Sequence, residues 1–396
     1  TLSGSSAASD VYKRQMKVLA LGGSGGMGRF SSFAISNYPN ISKVTIADLN
    51  EANAIEFSNH FDDRFTGIGL DVTNKEHLEK VMSDHDVVLN TTGPFFKFGL
   101  PILKSAIKCK CHYFDICDDW EPTEEMLKLN DEALKNDITA IVGLGASPGI
   151  SNLLGLKAMN ELDETESIIT GWDVSSAKPE DESSQKGTNA AMEHGLQQIS
   201  GEIKVYKDKK YKLTKPLEKI KIHYPGRGNH DAFIFGHPEA ITFPHHFNDL
   251  KESVNACHGS KQSNIYIIKI LRWLVDKKLI SFKQGASLME WLERKIGTPS
   301  IEKQIKGLPS IYGLAKGLKE NKNASVAVTL SEEELSNSWG MGAITGYPLA
   351  FGLKLILENK INKKGVFAPE GGAINPDDFF SLLTDHPLSV SRSWET

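Results

Sequence analysis

The feature that most constrains this 396-residue chain is a glycine-spaced loop, Gly23-Ser24-Gly25-Gly26-Met27-Gly28, set between an apolar run and a helical pattern. Val18-Leu19-Ala20-Leu21 lacks polar alternation, as in a strand buried on both faces. Met27, Phe30, Ala34 and Tyr38 then recur at helical spacing. A second run, Val44-Thr45-Ile46-Ala47, ends at Asp48, twenty residues beyond Gly28. A strand, a G-x-G-x-x-G turn, a helix and an acidic residue closing the next strand are the context in which this turn binds a dinucleotide. There Gly23 turns the chain, Gly25 lets the backbone approach a pyrophosphate, and Gly28 lets the helix lie against the strand. The helix N-terminus offers free N–H groups and partial positive charge to phosphates. Gly23, Ser24, Gly25, Gly26, Met27, Gly28 and Asp48 are therefore the expected cofactor-binding residues. A carboxylate at Asp48 repels a 2′-phosphate, and the following Leu49-Asn50 supply no arginine to offset it. The cofactor is expected to be NAD or NADP, with NAD favoured.

Further apolar runs extend the pattern. A third strand leads into Leu70-Asp71-Val72, and Thr73 with Glu76 reads as a capping box opening a helix. Val87-Val88-Leu89, Tyr113-Phe114-Asp115-Ile116 and Ile138 to Leu144 complete a series of strands alternating with helices, which implies a parallel sheet with right-handed crossovers. The loop Asn90-Thr91-Thr92-Gly93-Pro94 follows a strand at the sheet's carboxyl edge, where ligands bind in such folds, and its small hydroxylated residues suit a nicotinamide ribose. After Pro148-Gly149-Ile150 the rhythm changes. Ile220, Ile222 and Tyr224 alternate with Lys219, Lys221 and His223, giving one dry and one wet face. The lysine-rich stretch 248–322 reads as mostly helical, and Tyr347 to Glu358 as an apolar helix returning to the first lobe.

Size and composition fit this division. The chain is too long for one typical domain of about 100–200 residues. The expected fold class is α/β: a Rossmann-type doubly wound parallel sheet (16–146), a second α+β substrate and dimerisation domain (147–340), and a helical segment returning to the first lobe (341–385). Residues 1–15 are read as a non-native or disordered leader, with Met16 as the start, and 386–396 as a tail. A net charge of −5 argues against a nucleic-acid partner. No stretch approaches the about 20 apolar residues of a membrane span, so no membrane partner is expected. Four cysteines are too few and too scattered for a disulfide framework, which favours a cytoplasmic setting.

Several groups invite chemistry. Cys109, Cys111, His112 and Cys117 straddle a predicted strand and lack the paired spacing of a zinc site, so no metal is expected. Asp115 and Asp118 lie just past that strand at the mouth of the cleft, Asp115 as a substrate contact and Asp118 as a proton-handling residue. In the second lobe, Tyr224-Pro225-Gly226-Arg227-Gly228-Asn229-His230-Asp231 puts a guanidinium and an imidazole on a glycine-rich turn. Arg227 is the expected anchor for a substrate carboxylate, and His230 a second proton handler near neutral pH; a plain surface hairpin explains the same residues equally well. His237, His245 and His246 are further imidazoles that nothing in the sequence brings together.

The succession Leu70-Asp71-Val72-Thr73, Asp86-Val87-Val88, Gly93-Pro94-Phe95, His112-Tyr113-Phe114-Asp115 and Pro148-Gly149-Ile150-Ser151-Asn152 resembles the saccharopine dehydrogenase family, as does the late run Gly365-Val366-Phe367-Ala368-Pro369-Glu370. The resemblance implies hydride transfer at a carbon–nitrogen bond of an amino acid or polyamine-like amine, and a homodimer. It places Asp71 and Val72 at the adenine, and Thr92, Gly93 and Pro94, beside Thr91, near the nicotinamide. The rival readings are a carbonyl reductase and a dinucleotide-binding sensor without turnover.

Overall fold

The computed structural model describes residues 15–174, 188–259, 262–296, 307–331, 339–383 and 387–394. The leader, up to residue 14, lies outside them. In the first lobe, β1 (Met16–Leu21), β2 (Ile41–Asp48), β3 (Phe65–Gly69), β4 (Val87–Asn90), β5 (His112–Asp115) and β6 (Thr139–Ile141) form a parallel sheet in the order β6-β5-β4-β1-β2-β3. Crossover helices α1 (Gly28–Ser36), α2 (Glu51–Ser58), α3 (Lys75–Met82), α4 (Phe95–Lys108), α5 (Trp120–Leu127) and α6 (Asn130–Lys135) cover its faces. The unalternated strand sequences follow from that burial: Val18, Leu19, Ala20 and Leu21 are at most 1% exposed. At the opening of α3 the expected cap moves by one residue. Asn74 accepts from the His77 amide, while the Thr73 hydroxyl and amide both donate to Asp71.

The second lobe is a mixed sheet. Its path runs β10 (Lys219–Tyr224), β11 (Gly228–Ile234), β12 (Glu252–His258), β7 (Glu164–Asp173), β13 (Ile311–Lys319), β14 (Lys322–Leu330) and β16 (Leu388–Trp394), with β8 (Ile203–Lys207) and β9 (Lys210–Thr214) branching from β12. The stretch read as mostly helical therefore contains β12 and β13 beside α10 (Gln262–Asp276) and α11 (Phe282–Ile296). Leu388–Trp394, read as part of a tail, is a strand antiparallel to β14. Backbone pairing holds it to the sheet edge despite its weak apolar content.

The two lobes share one core. Helix α7 (Ile150–Asn160) leaves the first sheet and lies under the second so closely that a Cβ on Gly313 would meet the Gly155 nitrogen at 2.2 Å. The chain then returns: α12 (Met341–Leu357) packs on α1, with the Phe30 and Tyr347 rings edge-on at 5.7 Å, and β15 (Gly365–Phe367) pairs with β6 at the outer edge of the parallel sheet. A final helix, α13 (Pro376–Phe380), follows. Among the described residues no helix is long and apolar enough to cross a membrane.

Candidate active site

The carboxyl ends of β1, β4, β5 and β6 face the second lobe, and the candidate site is built from the loops that leave them. After β1, Gly22 takes the left-handed conformation (φ +70°), so the tight turn falls one residue before Gly23, where the sequence placed it. Gly28 has the expected role: a Cβ there would lie 2.1 Å from the Gly22 carbonyl and 2.6 Å from the Thr91 hydroxyl. No hydrogen bond from the backbone N–H of Ser24, Gly26 or Met27 is made among the described residues, and no side chain caps α1. Among the described residues, space is open over Gly26 and Gly93, and the buried Thr92 hydroxyl has no partner. A cradle of this shape, with donors at a helix N-terminus, fits the phosphates of a dinucleotide.

Asp48, at the end of β2, accepts from the Ser24 hydroxyl at 2.6 Å and from the Asn50 amide at 3.1 Å; Asn50, not Asp48, caps α2. Asp71 is exposed beyond β3, its carboxyl held below the usual range first by the Thr73 hydroxyl, and Val72 is partly buried beside it. Thr91 ties the end of β4 to β1 by donating to the Leu21 and Gly22 carbonyls, and Pro94 precedes α4 as its N-cap residue.

Behind these loops runs a buried hydrogen-bonded line. The Thr92 amide donates to Asn90 Oδ1, Asn90 Nδ2 donates to the Tyr113 hydroxyl, and that hydroxyl donates to Asp115 Oδ2. Asp115 Oδ1 accepts from the Cys117 and Gly143 amides at 3.0 and 2.7 Å. Asp115 is fully buried, and burial raises its pKa to about 6. Both of its oxygens belong to the protein, so the expected substrate contact is corrected: Asp115 buckles β5 to the loop after β6 and fixes the course of residues 116–119.

That loop carries the reactive cluster. His194 Nε2, from α8 (Thr188–Gln198), lies 2.9 Å from Asp119 Oδ1 and 3.8 Å from Asp118 Oδ1. Gln198, one helical turn on, donates to the Asp118 carbonyl. Burial works against charge on His194, but the Asp118 and Asp119 carboxylates outweigh it and raise the pKa to about 9. Burial likewise pushes the Asp118 carboxyl up, opposed by the attraction of His194, while its side chain keeps 30% of its surface exposed. Asp119 Oδ2 is buried without a partner among the described residues. Close to both charges sits His237, stacked on Trp172 at 5.3 Å, with Nδ1 3.1 Å from Ser147 Oγ. Ser147 and Ser151 each donate to Glu239 Oε1 at 2.6 Å, and Asn255 donates to the same oxygen at 3.1 Å. Asn152 donates to Glu370, a buried carboxyl that burial raises to about 7.

The turn between β10 and β11 takes no part in this. Arg227 donates to the Gly307 carbonyl and rests on the Tyr224 ring, and His230 Nε2 is 3.0 Å from the Arg227 carbonyl oxygen. The charges felt by His258 at the end of β12 include both residues, whereas those acting on Asp118 are His194 and Asp119. Arg227 and His230, expected as anchor and proton handler, thus find these partners at the hairpin and at Gly307, apart from the Asp118–His194 pair. The cysteines are likewise dispersed: Cys109 reaches the Glu79 carbonyl, Cys111 those of Met82 and His85, and Cys117 that of Asp119, while His112 Nδ1 accepts from the Thr139 amide. The residues that sequence reasoning missed are Asp119, His194, Ser147, Asn152 and Glu239. His237 was visible only as one imidazole among several.

Comparison with known proteins agrees with this architecture. Residues 18–141 match the profile of the saccharopine dehydrogenase NADP binding domain. Saccharopine dehydrogenase (NADP(+), L-glutamate-forming) of Saccharomyces cerevisiae is 31% identical over 119 residues, which are 30% of this chain and 25% of that protein. Its counterpart in Schizosaccharomyces pombe is 27% identical over the same length and shares. These matches therefore span a quarter of the relatives' length. Over nearly the whole chain the fold is that of two solved structures. Apo saccharopine dehydrogenase (L-Glu forming) from Saccharomyces cerevisiae has a TM-score of 0.63 at 18% identity, covering 96% of this chain and 100% of that one. Homospermidine synthase from Legionella pneumophila, in complex with NAD, has a TM-score of 0.57 at 13% identity, covering 96% and 92%.

Proposed function

From the match of residues 18–141 to the saccharopine dehydrogenase NADP binding domain, we propose that the chain is a nicotinamide-dependent oxidoreductase of the saccharopine dehydrogenase type, acting at the C–N bond of an amine or imine. The observation that carries this reading is the acid–base cluster of Asp118, Asp119, His194 and His237 on the carboxyl edge of the sheet that also presents the glycine loop. A bound nicotinamide supplies the hydride acceptor or donor. The protein's part is to orient the carbon and manage one proton. Gly25, Gly26 and the start of α1 would hold the pyrophosphate, and Thr92, Gly93 and Pro94 would border the nicotinamide. Asp118, partly exposed and facing His194, attracts a cationic amine to the site; in the reductive direction a proton delivered to the nitrogen makes the imine carbon more electrophilic.

NAD is the proposed cofactor, because the Asp48 carboxylate at the end of β2 would repel a 2′-phosphate. The family profile and the yeast relatives are named for NADP, and the Legionella structure holds NAD. Replacing Asp48 by Ser is expected to narrow the preference for NAD by about tenfold, about 1.4 kcal/mol.

The test is a reduction screen of lysine, saccharopine, diamines and amino acids with NAD and NADP in parallel, with ketones plus NADH as the contrast. Reduction with an amine supports the reading. Turnover of ketones alone makes the chain a carbonyl reductase, and tight binding with no turnover makes it a sensor.

A further inference from the structure

Resting on that reading, we infer that Glu239 is the proton store of the site, reached from the cleft through Ser147 and His237. The order of hydrogen bonds fixes the direction of this relay. Ser147 has one hydroxyl proton, and Glu239 Oε1 takes it at 2.6 Å. Toward His237 Nδ1, 3.1 Å away, Ser147 is left only to accept. The proton of neutral His237 therefore sits on Nδ1. Its Nε2 is left as the acceptor, with no partner among the described residues, on a ring that feels the charges of Asp119 and His194.

The surroundings hold that order in place. Trp172 Nε1 donates to Asn255 Oδ1, so Asn255 must turn its amide toward Glu239 Oε1, Thr170 and Ser147. Three donors then converge on one oxygen of Glu239, while Oε2 is buried with no partner among the described residues. A carboxylate so placed is well held by one oxygen and desolvated at the other, and desolvation favours taking up a proton. Trp172, stacked on the ring, and Phe235, edge-on to it, fix the imidazole plane.

The step balances as follows. A substrate ammonium gives a proton to His237 Nε2, the Nδ1 proton passes to Ser147, and the Ser147 proton passes to Glu239. The N–H bond of the ammonium breaks, an O–H bond forms on Glu239, and a cation and an anion become a neutral amine and a neutral acid. The amine lone pair is then free to assist departure of hydride from the adjacent carbon. Burial lowers the pKa of His237 to about 3 and raises that of Glu239. An imidazole in that setting passes a proton on without keeping it, and the acid beyond it keeps it. Glu370, joined to the same hydroxyl cluster through Asn152, adds a second buried acid that disfavours two negative charges at once.

Nitrogen-15 NMR of the histidine rings in the full chain, joined to pH profiles on whichever amine the screen identifies, tests this. Wild-type protein is expected to show the Nδ1–H tautomer at His237, and Ser147→Ala to convert it to Nε2–H. Glu239→Gln preserves the hydroxyl contacts but stores no proton; it should fold with unchanged ring signals. Its kcat should fall about a hundredfold, the scale of a lost general base, together with loss of the corresponding limb of the pH profile. An Nε2–H tautomer in the wild type overturns the relay, as does a Glu239→Gln variant within threefold of wild type with its pH limb intact. The tautomer is read without substrate, so a chain that turns over no amine refutes the amine reading while the hydrogen-bond order is still judged by itself.

Discussion

The two walls of the cleft are made in different ways. On the first-lobe wall, each residue sits in a loop leaving a parallel strand, so the strand's end fixes its position: Gly22 to Gly28 after β1, Asp48 after β2, Thr91 to Pro94 after β4, and Asp118 and Asp119 after β5. The second-lobe wall is assembled from distant pieces. His194 comes from a helix, His237 and Glu239 from the approach to α9 (Glu239–His246), Trp172 from β7 and Asn255 from β12. The first wall depends on backbone geometry and survives many side-chain changes. The second depends on side chains holding one another.

The comparison breaks most readily at the buckle that supports the first wall. Asp115→Ala leaves the Gly143 and Cys117 amides and the Tyr113 hydroxyl without their acceptor, which is expected to cost about 3 kcal/mol of stability in chemical denaturation. A loss below about 1 kcal/mol would mean that water replaces the carboxylate and the loop is not held by it.

The second wall carries a pH signature. The pKa of His194 is raised in the folded chain to about 9, above the usual 6.5. Its ion pairs therefore add stability that is complete below about pH 6.5 and is lost as pH rises toward 9. Denaturation midpoints should fall over that window in the wild type, by about 2 kcal/mol more than in His194→Gln. Parallel curves would detach His194 from the two aspartates.

The smallest effect is expected at the hairpin. His230→Ala should change stability by no more than about 0.5 kcal/mol, as for surface positions away from special features, and should leave turnover within twofold. A large loss of turnover would return His230 to the site.

The difference between the walls also explains what could be read in advance. The parallel sheet, the glycine loop and Asp48 are legible because backbone requirements impose residue types at fixed spacings: apolar runs on doubly buried strands, and glycine at Gly28, where a Cβ would lie 2.1 Å from the Gly22 carbonyl. Asp118 is legible as a carboxylate past a strand end, but its neighbour Asp119 makes the shorter contact with His194. Asp115, three residues before Asp118, reads the same way in sequence, and only the structure shows that it is buried with both oxygens taken. Arg227 and His230 form a persuasive local constellation, yet a hairpin satisfies both from its own neighbourhood. His194, His237 and Glu239 have no local signature, because their partners stand 75, 90 and 92 residues away along the chain. Leu388–Trp394 lacks an apolar signal because an edge strand is held by its ladder.

The central claim is that a dinucleotide at the glycine loop and the second-lobe cluster share one cleft. Histidine-ring NMR of the full chain during titration with NADH tests it most directly. The account predicts that the His194 and His237 signals shift together as NADH saturates, while His230 stays unchanged. Shifts at His230, with His194 and His237 unmoved, would contradict it.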